Sequence, residues 1–176
     1  MRGCYKFASY PAVPDGGASP REVTLLGSGA ILTEVIKAAR MLATEGKTVH
    51  VHSVTSWSEL ARDGAAIEAS AIAGNSSPHK AVPHITMQLQ SGEGPVIAAT
   101  DYVRAVPESV RAFVPPGRIY LTLGTDGFGR SDTRAALRAY FGIGAAGVVR
   151  AAHHALRPVD RFAGEASCRG EPDEQA

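Results

Sequence analysis

Apolar residues along this chain recur in two patterns that take turns: short, nearly unbroken runs, and longer stretches in which they return at helical spacing. The short runs are Val23-Thr24-Leu25-Leu26, Thr48 to Val54, Pro95 to Thr100, and Arg118-Ile119-Tyr120-Leu121-Thr122-Leu123. Such runs, rich in β-branched and aromatic residues, suit strands covered on both faces. After the first, Leu32, Val35, Ile36, Ala39 and Leu42 mark one face of a helix that ends near Gly46. A second helix opens at Ser56-x-x-Glu59, the capping-box spacing in which serine and glutamate satisfy each other's backbone donors. A third runs from Pro107, in its first turn, through Val110 and Phe113 to Pro115. A fourth carries Leu137, Tyr140 and Phe141 behind a Ser131 or Asp132 cap, and a last covers Ala145 to Ala155.

Cys4 to Tyr10 alternates aromatic with small or polar residues, a short strand stopped by Pro11 and Pro14. Asp15 to Pro20 and Gly74 to Pro83 read as loops, and Ile85 to Leu89 as a short helix or an irregular crossing. The end of the chain, Gly164 to Ala176, has no hydrophobic face and is expected to be disordered. Strands alternating with helices imply an α/β fold of three layers, a parallel sheet with helices on both faces joined by right-handed crossovers. The 176 residues fit one domain. The expected division is a linker with an edge strand over 1–20, the α/β domain over 21–156, and a polar tail over 157–176.

Eighteen basic against seventeen acidic residues leave a formal charge of +1, with no basic block to follow a phosphate backbone, so nucleic acid is not expected as a partner. No apolar run approaches the roughly 18 residues of a bilayer span, and the start lacks the apolar core of a signal peptide. A cytoplasmic protein without a membrane partner is expected. Cys4 and Cys168 stand outside any metal or CxxC spacing and read as free thiols in a reducing compartment.

Candidate chemistry gathers at two glycine-rich corners. Gly27-Ser28-Gly29 ends one strand and starts a helix, where backbone N–H groups could face an anion. It lacks the third glycine of a dinucleotide motif, and Ser53 and Val54 stand where an acidic residue would close the next strand, so a packing turn is the better reading. Leu123-Gly124-Thr125-Asp126-Gly127-Phe128-Gly129-Arg130-Ser131-Asp132 is a second strand-to-helix corner. There Asp126, Arg130, Asp132 and Arg134 are expected to form an ion-pair network bracing the loop, with a ligand clamp as the alternative. Gly127 and Gly129 are both expected to need positive φ. Arg62-Asp63 reads as a helix-end salt bridge. His50 and His52 share a strand face and would need a third ligand to hold zinc, and His153-His154 cannot both face one ion. Ser28, Ser53 and Ser131 lack the surroundings of a nucleophile.

Together with Thr55-Ser56-Trp57-Ser58-Glu59-Leu60-Ala61-Arg62-Asp63-Gly64 and Ala99-Thr100-Asp101-Tyr102, the run from Leu123 to Asp132 resembles one family: the C-terminal domain of the decarboxylating component of bacterial homodimeric pyruvate dehydrogenase, of the transketolase C-terminal class. The resemblance extends from about Gly3 to Ala155. It departs from the family between Ala65 and Val82 and again at Arg157-Pro158. It implies a mixed five-stranded sheet, mostly parallel, in the order one-three-two-four-five with the first strand antiparallel. With that order a crevice lies at the switch point, beside Gly27, Ser28, Gly29, Asp101 and Tyr102.

The resemblance further implies an enzyme that decarboxylates pyruvate on thiamine diphosphate with magnesium and passes the two-carbon fragment to a lipoyl group, in pyruvate metabolism beyond glycolysis. The cofactor residues of the family lie in two earlier domains, so this chain is expected to bind no cofactor or metal and to be inactive alone. Its expected role is packing, dimerisation and assembly. The implied partners are those thiamine-binding domains, the acetyltransferase component and a second copy, with Asp126, Gly127, Phe128, Gly129, Arg130 and Asp132 as a structural or interface loop. A free-standing binding or regulatory module, or a non-functional gene fragment, is the alternative.

Overall fold

A computed structural model describes residues 2–13, 21–74 and 81–157. The expected loop at 15–20, His79 with the stretch 75–80, Cys168 and the polar tail from residue 158 onward lie outside these residues. Five strands form one sheet: β1 (Cys4–Tyr10), β2 (Arg21–Ser28), β3 (Lys47–Val54), β4 (Val96–Ala99) and β5 (Tyr120–Leu123), in the order β1-β3-β2-β4-β5. β1 runs antiparallel to β3 with a bulge between Lys6 and Ala8, and the remaining pairings are parallel. The architecture is therefore the mixed, mostly parallel α/β/α sandwich that the sequence and its resemblance imply.

The pleat sends alternate residues to opposite layers. Val23, Leu25, Val49, Val51, Ile97 and Ala99 face α1 (Leu32–Thr44) and α6 (Ala145–Leu156), where they meet Val35, Leu42 and Val148. Cys4, Leu26, Val54, Val96 and Ala98 face the other layer, built by α2 (Trp57–Ile72), α3 (His84–Leu89) and α4 (Ala105–Glu108), where they meet Trp57, Leu60, Ile85 and Leu89. Fully burying a leucine or isoleucine at these positions stabilises the fold by about 1.5–3 kcal/mol each.

Several boundaries differ from expectation for physical reasons. The helix expected from Pro107 to Pro115 is not continuous. It is a single turn, α4, followed by a 3₁₀ turn at Arg111–Phe113. Leaving the helix there lets Val110 become fully buried and sets the Phe113 ring against Gly64 of α2, where a Cβ would stand 2.4 Å from the ring. The Glu108 carboxylate fixes α4 to β5, accepting from Arg111 at 2.5 and 2.8 Å and from Thr122 Oγ1 at 2.5 Å. β5 begins at Tyr120 rather than Arg118, because Arg118 turns inward and donates to Leu89 O, Gly94 O and Thr24 Oγ1 at 2.6–2.8 Å.

The caps are partly as expected. Ser56 Oγ accepts from the Glu59 N–H at 3.2 Å, but the Ser56 N–H donates to Gly3 O, so the Glu59 carboxylate is free to pair with Arg62. The expected Arg62–Asp63 bridge is accordingly not formed. Asp63 instead accepts from the His84 N–H at 2.7 Å and starts α3. The cap of α5 (Arg134–Tyr140) is Thr133, which accepts from the Ala136 N–H at 3.3 Å, and not Ser131 or Asp132.

Candidate functional site

The parallel strands β2 and β4 leave the sheet in opposite lateral directions, which opens a cleft at their carboxyl ends. Gly27 and Ser28 complete β2, and Gly29, at φ +54, turns the chain into a 3₁₀ turn that runs on as α1. A Cβ on Gly27 would lie 3.0 Å from Leu32 Cα and Val35 Cγ2, so close packing of helix on strand explains this glycine. Ser28 Oγ donates to the buried Thr100 Oγ1 at 2.8 Å, and the Tyr102 N–H donates to the same oxygen at 3.2 Å. One buried hydroxyl thus ties the ends of β2 and β4 together.

The cleft, about 630 Å³, is lined by Ser28, Gly29, Ser53, Thr55, Ser56, Trp57, Ser58 and Tyr102. Beside the hydroxyls, an indole and a phenol, Leu32, Val54 and Val106 give it aliphatic walls, and the lining holds no carboxylate, imidazole or cation. The Trp57 indole N–H is buried and without a hydrogen-bond partner among the described residues. Of the expected crevice residues, Ser28, Gly29 and Tyr102 line this cleft and Gly27 lies beneath it. Asp101 lines a separate hollow of about 330 Å³, together with Thr125, Arg134 and Arg138.

The second corner is anchored at its start and open at its tip. The Thr125 N–H donates to Tyr102 O at 2.9 Å, Thr125 Oγ1 to Asp101 O at 2.9 Å, and a Cβ on Gly124 would stand 2.6 Å from Tyr102 O. Asp126 accepts from the Arg104 N–H at 2.8 Å and from its Nε at 2.6 Å, which holds the carboxyl below its usual range. The four-residue ion network is therefore not formed. Arg130 instead lies 4.1 Å from the centroid of Tyr140, and Asp132 accepts from the adjacent Thr133 N–H. Gly127 has φ +98, but Gly129 has ordinary φ and open space at Cβ, so its expected requirement for positive φ is not met. Phe128 is 96% exposed.

His50, His52, His84 and His153 each bond within the frame of the fold. His52 is buried, its Nε2 3.1 Å from Gln88 O, and burial pushes its pKa down to about 4. His50 Nδ1 lies 3.1 Å from Ser9 Oγ, His84 Nε2 2.9 Å from Cys4 O, and His153 Nε2 2.6 Å from Glu45. No group of three His, Cys, Asp or Glu side chains among the described residues is placed to hold a metal ion. The Cys4 thiol is buried and free, its pKa raised to about 12 by burial. Sequence reasoning missed Arg104 as the partner of Asp126, a pairing 22 residues apart that no local spacing announces.

With this geometry in place, the chain belongs to the transketolase-like C-terminal domain family, whose model, described as "Transketolase-like TK C-terminal domain", matches residues 3–144. Within that class it is similar to the pyruvate dehydrogenase E1 component of Mycobacterium tuberculosis, at 45% identity over 157 residues, 89% of this chain and 16% of that protein. Against the E1 component of Escherichia coli K12 the identity is 39%, covering 94% of this chain and 19% of that protein. The resemblance carried by the three motifs is thereby shown. Transketolase from Leishmania mexicana shares the fold, with a TM-score of 0.54 at 22% identity over 88% of this chain and 18% of that one. The chain thus spans well under a fifth of the M. tuberculosis relative, which it matches along 16% of its length. Among the described residues no helix is long and apolar enough to cross a membrane.

Proposed function

We propose that this chain is the C-terminal domain of a pyruvate dehydrogenase decarboxylating component, serving packing, dimerisation and assembly and holding no catalytic centre of its own. One observation carries the reading: similarity to the M. tuberculosis E1 component extends over 89% of this chain yet occupies 16% of that protein. What is shared is a part of an enzyme. The cleft supports the reading, because its hydroxyls, aromatic rings and aliphatic side chains include no carboxylate or imidazole to form an acid–base pair. The cleft also does not fit thiamine diphosphate with magnesium, since magnesium is held by carboxylates together with phosphate oxygens and the lining supplies none.

In this reading the cofactors belong to preceding domains, where pyruvate is decarboxylated and the acetyl group passed to the lipoyl group of the acetyltransferase component, in the cytoplasm. The loop bearing Phe128 and Arg130 meets a neighbouring domain. The edge strand β1, with Tyr5 and Phe7 half-exposed, contributes to a homodimer.

The test supplies the chain in trans to the M. tuberculosis E1 component shortened by the matching segment. Co-purification and recovered pyruvate decarboxylation are expected, while the chain alone binds no thiamine diphosphate in calorimetry with magnesium. Sedimentation should show a concentration-dependent dimer. A chain that ignores the shortened enzyme and stays monomeric sinks the assembly role and favours a free-standing module.

A further inference from the structure

The turn between α5 and α6 holds another hollow, of about 530 Å³, that the assembly role does not use. Its floor is made of glycine and alanine for steric reasons. Gly142 turns the chain at φ +67, and a Cβ on Gly147 would lie 1.8 Å from Gly142 O, so the first turn of α6 sits directly on the turn's backbone. Gly142-Ile143-Gly144-Ala145-Ala146-Gly147 spells G-x-G-x-x-G, but a helix and not a strand precedes it, so it is not a dinucleotide motif. The end of α6 is also already answered, because the Ala145 N–H donates to Glu34 at 3.2 Å. Glycine spacing and helix end account for the shape of the hollow and point to no ligand.

The charge points to one. Lys37, Arg134, Arg138 and Arg150 surround the hollow against the single carboxylate of Glu34, a local formal charge of +3 in a chain whose total is +1. Glu34 is largely buried and fully engaged: it accepts from Lys37 at 2.9 Å and from Arg138 at 3.0 Å as well as from Ala145. Its charge is spent inside that cluster. Arg134 and Arg150 have no carboxylate within ion-pair distance among the described residues, and both are exposed. Glu34 offsets one of the four positive charges and is already shared by Lys37 and Arg138, so the remaining excess is relieved when a further anion enters, and guanidinium groups match phosphate oxygens bidentately. The glycine and alanine floor carries no polar side chain of its own, so polar recognition here rests on the charged rim.

We propose that this hollow binds a small phosphate-bearing molecule, Arg134 and Arg150 gripping the phosphate while Lys37 and Arg138 deepen the positive field. The inference is independent of the assembly role.

Calorimetric titration of the full chain at low ionic strength with inorganic phosphate, pyrophosphate and ATP is the test. Pyrophosphate and ATP are expected to bind saturably at one site, with amide shifts in nuclear magnetic resonance spectra confined to the segment Gly142 to Gly147 and its neighbours. Arg134→Gln and Arg150→Gln should each weaken binding about tenfold, the size of one lost charge-assisted contact. Both side chains are exposed, so the variants keep the fold, which circular dichroism verifies. Arg62→Gln, on the opposite layer, should leave affinity unchanged. Equal affinity for pyrophosphate and ATP assigns the grip to phosphate alone, and tighter ATP adds a contact from the nucleoside; either supports the proposal. Failure of all three anions to bind saturably overturns it, as does an equal loss in Arg62→Gln, which would reduce the effect to general charge attraction.

Discussion

The two glycine-rich corners at the carboxyl end of the sheet look alike in sequence and are held in opposite ways. At Gly27-Ser28-Gly29 the chain is enclosed: Gly27 has no room for a Cβ, and Ser28 is bonded to the buried Thr100. From Gly124 to Thr133 the first residues are pinned to Tyr102 and Arg104 and the last is tied to α5 by the Thr133 cap, while the tip at Gly127, Phe128 and Gly129 stands in open space. The difference shows that a glycine cluster is not one signal. Gly27 and Gly124 mark close packing, whereas Gly29 and Gly127 mark positive φ, and it is the tip at Gly127 to Gly129 that sets the second corner apart.

The sharpest way to break this contrast is to fill the enclosed corner. Gly27→Val should cost about 3 kcal/mol, the upper range for overpacking, because Leu32 and Val35 are fixed by the core. A midpoint in urea unchanged from wild type would show that α1 slides away freely, and the two corners would then be alike.

Acid should separate the buried part of the sheet from the exposed loop. His52 has its pKa depressed from 6.5 to about 4 by burial, with Lys6, His50 and Arg118 adding repulsion. The unfolded chain therefore takes up this proton first. The contribution is present above pH 6.5 and is lost as pH falls towards 4, by on the order of 3 kcal/mol. Asp126 is depressed from 3.8, so its contribution is lost only at still lower pH. Urea unfolding across this range should show the loss in wild type and a flatter profile in His52→Gln. Equal profiles would remove His52 as the cause.

Within the open corner the two glycines should part company. Gly127→Val places a β-branched residue at φ +98 and should cost about 1–3 kcal/mol. Gly129→Val should stay within about 0.5 kcal/mol, as expected for an exposed site without strain. Equal losses in thermal unfolding would mean that the loop packs more tightly than its geometry shows. The smallest effect on global stability is expected from Asp126→Asn, whose side chain is exposed. Its signature should be local: faster hydrogen exchange at the Arg104 N–H, with the overall unfolding midpoint unmoved.

Much of the fold was legible because burial on both faces leaves unbroken apolar runs, and because Leu32, Val35, Ile36, Ala39 and Leu42 keep a clean helical period. Strand order was not legible from spacing. It came with the family resemblance. The helix expected through Val110 and Phe113 failed because apolar periodicity cannot tell a continuous helix from two turns that each drop a side chain into the core. At the candidate sites, residue types were visible and pairings were not. Asp126 found Arg104, Asp63 found the His84 amide, and Glu34 found Arg138, all by tertiary proximity that sequence distance conceals. The cationic hollow was invisible for the same reason, since its arginines and lysine come from three helices.

The antiparallel direction of β1 places the entry of the chain at the same end of the sheet as the cleft. Cys4 pairs with Val54, and just before it Gly3 O accepts from both the Thr55 and Ser56 N–H groups, at 2.9 and 3.2 Å. Thr55 and Ser56 are part of the cleft wall. Any polypeptide that leads into Gly3 is therefore hitched by two hydrogen bonds to that wall, and a pull or rotation upstream acts on the mouth of the cleft as on the handle of a latch. In a longer enzyme the position of the preceding domain and the width of this cleft would be one mechanical variable rather than two.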